Sequence, residues 1–507
     1  MIYKMVNRSL RSVVLMMTAM VLFTHCSEEK HPRPNILFCI TDDQSYEHTS
    51  ITGSSFVHTP GFDAIARQGV LFTNAFVTSP SCNPSRTSIL TGLPFYRLKE
   101  ASMNHAIWPD GLTVYTDLLQ EAGYHVGYTG KGCGPTNWKV GGRQTNPAGP
   151  VYNSIVSKGQ SGGVNNHNLD YAANFKKFLN EKPDGKPFCF WFGAREPHRV
   201  FQTDIGYRFG KNPADARVPP FLPDTDESRI DLINYAAHIE WFDQHLQRMI
   251  VYLKEIGELD NTLIVVTSDN GMAFPRAKAS CYDSGTHMPL AIRWDRVIKP
   301  GRIVEDFVSL SDLAPTFLQI AGLSVPDFMT GTSLLPVLQA EESGKVDEAR
   351  SFVITGLERH FPGGRRDGSC YPIRAIRTED FLYISNLTPD RWPVGDPQGP
   401  VWPKNDDTGG YGDVDGSPSK SFLFYHREQY AHMFQMAFAK RPAEELYDVV
   451  NDPYQLKNIV ADPAYRSVRQ SLKKKLFEEL QRTVDPRSQG KGEILEKYAR
   501  KFIHPLK

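Results

Sequence analysis

No charge of either sign is in excess: Lys plus Arg and Asp plus Glu each number 57 in a chain of 507 residues. The balance leaves no overall field to draw the protein onto nucleic acid or a lipid surface, so an anionic ligand needs a local basic site. Thiolate metal chemistry is missing too. The seven cysteines, Cys26, Cys39, Cys82, Cys133, Cys189, Cys281 and Cys370, include no Cys-x-x-Cys pair and no zinc spacing. No internal repeat is present, which excludes a solenoid. Hydrophobic residues at 40% and charged residues at 22% exclude a disordered chain and a many-spanning membrane protein. The length suits one large α/β domain with a smaller companion.

At the N-terminus Lys4, Arg8 and Arg11 precede a largely apolar run from Val13 to Phe23, followed by Cys26 and the acidic Glu28 and Glu29. This reads as an export signal over residues 1–25, the run being too short for a membrane span of about 20 apolar residues. It resembles bacterial lipoprotein signals, which implies acylation at Cys26 and membrane contact only through that lipid, in the periplasm or at the outer membrane or cell surface. His25 departs from the small residue expected before such a cysteine, and ordinary signal cleavage is the alternative.

Continuous apolar runs at Ile36–Ile40, Phe188–Phe192 and Leu263–Val266 predict strands covered on both faces, with Cys39 and Cys189 buried inside them and Cys82 outside them in a polar loop. Helical spacing connects them: Leu118 to Ala122 closing at Gly123, Leu232 to Leu253 closing at Gly257, and Leu313 to Ala321 closing at Gly322. Strands alternating with helices predict a mainly parallel sheet in an α/β layer fold. After residue 370 short strands at Ile373–Ile376 and Phe381–Ile384 read as an antiparallel hairpin, and a last helix covers 471–482. The stretch 388–420, rich in Pro, Gly and Asp, is too long for a simple connection and reads as a functional loop.

Two strands end in oxygen-bearing pairs, Asp42 with Asp43 and Asp269 with Asn270. Ligands of open α/β sheets bind beyond the carboxyl ends of strands. Carboxylate and amide oxygens suit a hard cation, Ca²⁺ before Mg²⁺, whereas zinc would want His or Cys beside either pair.

The segment Cys82-Asn83-Pro84-Ser85-Arg86, followed by Thr91-Gly92, resembles the signature of the formylglycine-dependent sulfatases. The resemblance extends through Asn35–Asp43, Thr129-Gly130-Lys131, Pro197-His198, Ser268–Gly271, Leu446-Tyr447-Asp448 and Asp452-Pro453, and the wording of 269–275 is similar to the heparan N-sulfatase (sulfamidase) branch. It implies an alkaline-phosphatase-like fold: a mainly parallel sheet flanked by helices over 33–370, then a smaller C-terminal α+β subdomain over 371–507 with an antiparallel sheet. It further implies that a maturating enzyme converts Cys82 to formylglycine. Asp42, Asp43, Asp269 and Asn270, together with residue 82, would hold one Ca²⁺, and Arg86, Lys131 and Lys278 would add positive charge against the sulfate. In that scheme one hydroxyl of the aldehyde hydrate attacks sulfur, the other later expels sulfate, and His198 protonates the leaving group.

Cys133 stands where many members of the family carry a histidine two residues after the lysine, so the release step lacks its usual partner. An Asp of the calcium shell, His167, His287 or His360 are the substitutes. The substrate implied is a sulfated oligo- or polysaccharide, with Trp392, Trp402, Tyr411 and Tyr425 available to stack on sugars and Arg391 to meet a carboxylate or second sulfate. A phosphodiesterase or phosphonate hydrolase of the same superfamily, and a non-catalytic glycan-binding lipoprotein, are the alternatives.

Overall fold

The structure, a computed structural model, describes residues 33–157, 168–401 and 406–501. The expected signal over 1–25, Cys26, His167 and Trp402 lie outside the described residues. No helix among the described residues is long and apolar enough to cross a membrane.

Seven strands form the main sheet: β1 (Asn35–Thr41), β2 (Val70–Phe76), β3 (His125–Gly130), β4 (Phe188–Gly193), β5 (Thr262–Ser268), β6 (His287–Arg293) and β7 (Arg302–Ser309). Their order is β3-β4-β1-β5-β6-β2-β7. Only β6 runs antiparallel to its neighbours; the other adjacent pairs are parallel. Every residue of β1, β4 and β5 is buried, because alternate side chains of one strand feed different cores. Ile36, Phe38 and Ile40 join one apolar cluster with Phe317 and Tyr115. Leu37 and Cys39 join the other with Phe242, Leu246, Met249 and Leu253, which form the apolar stripe of the helix Asp226–Glu255. That helix stops two residues before Gly257, whose φ of 72° is a left-handed conformation glycine adopts freely.

A second sheet, order β11-β10-β9-β8, comprises β8 (Phe352–Leu357), β9 (Ile373–Thr378), β10 (Phe381–Asn386) and β11 (Glu444–Asp448). All its pairs are antiparallel. The helix Arg466–Arg482 packs Leu472, Leu476 and Leu480 into the same core as Tyr383 and Leu446. A further helix, Glu493–Lys501, follows. The expected late loop is irregular until the helix Pro418–Tyr425, and its middle folds inward: Val394, Tyr411 and Val414 pack against Leu423 and Phe438.

Fully buried Arg374 on β9 ties this region together, reaching Glu358 at 2.7 Å and Asp485 at 2.9 Å. Removing one member of such a group leaves uncompensated charge in the interior. Arg374→Ala is therefore expected to lower unfolding free energy by about 3–5 kcal/mol, read by denaturant titration; a change within about 0.5 kcal/mol, as at an ordinary surface site, would refute the assignment.

Candidate active site

The ends of β1, β5, β3 and β4 meet at one edge of the main sheet. Thr41 of β1 pairs with Ser268 of β5, so the next residues, Asp42 and Asp269, leave the sheet side by side. Asp43 turns at a φ of 80°, and its N–H donates to Asp269 Oδ1 at 3.1 Å. Gly130 ends β3 opposite Gly193 of β4. A Cβ on either glycine would strike a facing carbonyl, so only glycine lets these strands close up and lets the Lys131 N–H reach Gly193 O at 2.6 Å.

Cys82 was expected in a polar loop. It is instead the first residue of the helix Cys82–Thr91 and is buried, 1% exposed. Pro84 is tolerated there because the first-turn N–H it lacks would have no intrahelical partner. One turn later Arg86 lies on the same helix face. Its Nε donates to Asp269 Oδ2 at 2.6 Å and its terminal nitrogens to the carbonyls of Lys131 and Thr41.

The oxygen pairs and Cys82 converge as expected. Ligand atoms of Asp42, Asp43, Cys82 and Asp269 lie within 4.8 Å of one another, all four residues buried. The Cys82 Sγ sits 3.4 Å from Asp42 Oδ1 and 3.9 Å from Asp43 Oδ1. Lys131 Nζ donates to Asp42 Oδ2 at 2.6 Å, and Lys278 Nζ to Asp43 Oδ2 at 2.8 Å. Asn270 completes the set: its Nδ2 donates to Asp43 Oδ1 at 2.7 Å, which fixes the amide, and its buried Oδ1 has no partner. Three carboxylates beside an orphaned amide oxygen make an oxygen-rich set that fits a hard divalent cation.

Charge is distributed unevenly over these groups. Burial alone would raise the Asp42 carboxyl, but Lys131, His198, Arg86 and Lys278 together hold it well below its usual range. Asp269 goes the other way, to about 6, because burial and the neighbouring Asp42 outweigh Arg86. Burial pushes the Cys82 thiol well up, with Asp269 and Asp42 adding to the rise and Lys131 opposing it. As encoded, residue 82 is a protonated thiol facing carboxylates, not a thiolate nucleophile.

A cleft of about 680 Å³ opens above this cluster, lined among others by Asp42, Cys82, Lys131, His198, Lys278 and Asp415. His198 is half-buried. Its Nδ1 donates to the Arg199 carbonyl at 2.6 Å, which leaves Nε2 as the ring's other polar atom. A ring nitrogen lies within 4.8 Å of ligand atoms of Asp42 and Cys82, and likewise of Asp43 and Asp415. Asp415, which the sequence reading did not single out, accepts from Lys278 Nζ at 2.9 Å. Burial would raise its carboxyl, yet Lys278, His198 and His360 hold it low. Its only signal in sequence was membership of the long Asp-rich loop.

Cys133 is fully buried, and burial pushes its thiol up to about 12, so it cannot stand in for the histidine it replaces. His287 is stacked on Tyr46 and Phe76 with Nε2 against the Thr73 carbonyl, outside the cleft. His360 does line the cleft, its Nδ1 2.8 Å from Ser81 Oγ. Burial, then Lys278, depresses it to about 3, which leaves it a neutral hydrogen-bonding partner. Of the aromatic residues named for sugar stacking, the three among the described residues do not line the cleft: Tyr411 is core, Trp392 packs against the same cluster, and exposed Tyr425 donates to the Asp407 carbonyl. Arg391 is engaged elsewhere, with Cys370 O at 2.7 Å and Glu496 at 3.0 Å.

Comparison with known proteins bears on the whole arrangement. Residues 34–323 match the sulfatase family model, and residues 276–392 match the model for the C-terminal region of N-sulphoglucosamine sulphohydrolase. An ulvan-active sulfatase of Formosa agariphila is 31% identical over 88% of this chain and 79% of its own. Human N-sulphoglucosamine sulphohydrolase is 28% identical over 93% of this chain and 95% of its own. Among solved structures, BT4656 in complex with its substrate D-glucosamine-2-N,6-O-disulfate superposes with a TM-score of 0.64 at 22% identity, covering 89% of this chain and 98% of that one. With the strand-end oxygens, the helix-borne Cys82 and these matches in agreement, the chain belongs to the sulfatase family.

Proposed function

We propose that this sulfatase hydrolyses sulfate esters or sulfamates of sulfated glycans, with Cys82 converted to formylglycine by a maturating enzyme and one Ca²⁺ held by Asp42, Asp43, Asp269 and Asn270. The observation that carries the proposal is Cys82 itself. Its side chain occupies the centre of a buried oxygen cluster, where burial keeps the encoded thiol protonated. A nucleophile made there must be something other than thiolate.

A sulfate group is a poor electrophile until its oxygens are neutralised. Bound Ca²⁺ would supply two positive charges at the strand ends. The aldehyde hydrate would supply a hydroxyl for attack on sulfur and a second hydroxyl for sulfate release. The protein's own groups do the rest. Lys131 and Lys278 line the cleft and present ammonium groups; Asp42 outweighs the burial that would discharge Lys131, and Asp415 with Asp43 does so for Lys278. Arg86, beneath them and fully buried, fixes Asp269. Asp42 Oδ1, 3.4 Å from the Cys82 Sγ, orients the group that residue 82 carries. His198 is the proton donor to the leaving group, since its ring lines the cleft with a nitrogen within 4.8 Å of ligand atoms of Asp42 and Cys82. The glycan assignment is supported by the relatives named for ulvan and for N-sulphoglucosamine.

Three outcomes are expected. Enzyme from its native host carries formylglycine in the peptide containing Cys82, seen by mass spectrometry, and Cys82→Ala releases no sulfate while keeping its circular dichroism; an unmodified thiol in active protein would sink the nucleophile assignment. Chelation lowers both turnover and Tm, and added Ca²⁺ restores them; Asn270→Ala should demand about tenfold or more Ca²⁺ for half-maximal restoration, and an unaltered requirement argues against Asn270 as a ligand. His198→Ala should slow release from glycan sulfates by about 10²–10⁴-fold, but much less from 4-nitrophenyl sulfate, whose phenolate leaves without a proton. Equal losses on both would remove His198 from the acid role.

A further inference from the structure

Each cation at the floor of the cleft already has a carboxylate. Lys131 is on Asp42, Lys278 lies between Asp43 and Asp415, and Arg86 is on Asp269. On the wall, Arg199 holds Asp231 through two bonds of 2.7 and 2.8 Å. Arg195 differs. It lines the same cleft and is half-buried, yet its guanidinium has no hydrogen bond or ion pair among the described residues. Its bonds are made by the main chain, whose N–H donates to Tyr171 Oη at 3.2 Å and Glu196 Oε2 at 3.1 Å. The backbone is pinned and the fork is left over.

Two neighbouring lining groups are also unused donors. Asn146 is nine-tenths buried, and its carbonyl oxygen accepts from the N–H groups of Cys133 and Ala148 at 3.3 and 2.9 Å. Its NH₂ makes no hydrogen bond among the described residues. The Tyr128 side chain is close enough to Arg195 for the guanidinium to oppose the burial-driven rise of the phenol, which still reaches about 12. At neutral pH that phenol keeps its proton and can donate. Guanidinium, phenol and amide together make a wall of donors; the guanidinium opposes the burial-driven rise of the Glu196 carboxyl but makes no ion pair among the described residues, and a guanidinium fork matches a carboxylate or sulfate through two parallel bonds.

We propose that Arg195, with Tyr128 and Asn146, binds a second anionic group of the substrate, so that the preferred sugars carry a carboxylate or another sulfate besides the one removed. This rests on the sulfated-glycan reading above. It also moves to Arg195 the part that sequence had offered Arg391, which is tied to Glu496.

The test uses the full mature enzyme and three related substrates: a sugar bearing only the scissile sulfate, the same sugar with a second sulfate, and the same sugar linked to a uronate. Arg195→Gln is expected to lower kcat/KM for the doubly anionic sugars about ten- to a hundredfold relative to the singly anionic one, mainly through KM. Arg195→Lys should recover part of that selectivity, and the arm that loses most identifies the anion. Equal losses on all three substrates, or selectivity unchanged by Arg195→Gln, would overturn the subsite. Should the wild-type enzyme release sulfate from none of them, the glycan reading fails on its own. The subsite is then read by the Tm increase that the disulfated sugar produces, expected to shrink in Arg195→Gln; an undiminished increase would overturn it.

Discussion

Three carboxylates buried at the ends of two adjacent strands repel one another, and much of the surrounding structure answers that repulsion. Asp42, Asp43 and Asp269 are each less than 2% exposed. In a low-dielectric interior such a cluster persists only with cations in contact. Arg86 comes from the helix that begins at Cys82, Lys131 from the end of β3, and Lys278 from the segment after β5. Each is positioned by a different connection, so the parallel sheet, the helix and the loops are all needed to neutralise one site. The same demand explains why Asp42 and Asp269 respond in opposite directions: they share the cations unequally, and the less compensated one keeps its proton more readily.

The strand ends were legible in the sequence because their signal is dense. An unbroken apolar run can only be a strand covered on both faces, and the first polar residues after it fall at the sheet edge where ligands bind. That reasoning reached Asp42, Asp43, Asp269 and Asn270 from the residues alone. Cys82, Arg86, Lys131, His198 and Lys278 came through a motif resemblance, and the fold brings them to the same place.

What stayed hidden has a physical reason in each case. Asp415 belongs to an irregular stretch without periodicity, and its proximity to Lys278 depends on a chain path that spacing does not encode. The same stretch carries Tyr411, whose ring completes a small core and so cannot face a sugar. Arg195 lies three residues before His198 at the start of a turn, closed by the His198 N–H on the Arg195 carbonyl at 3.1 Å, and whether a guanidinium there is paired depends on what other elements bring past it. Cys133 was legible as an anomaly but not as an outcome. Only packing shows it sealed away, with His360 entering the cleft from a different part of the chain.

A side chain that is 1% exposed at the first turn of a ten-residue helix cannot be reached by the active site of another protein. Any enzyme that rewrites Cys82 must therefore take it as an extended peptide, and that peptide exists only until the helix docks on the sheet. Modification and folding compete in time, and a chain that folds first is locked in its encoded state. With Cys82 converted as proposed, the catalytic fraction of a preparation would report a race won or lost during biogenesis, which no measurement on the folded protein's stability would reveal.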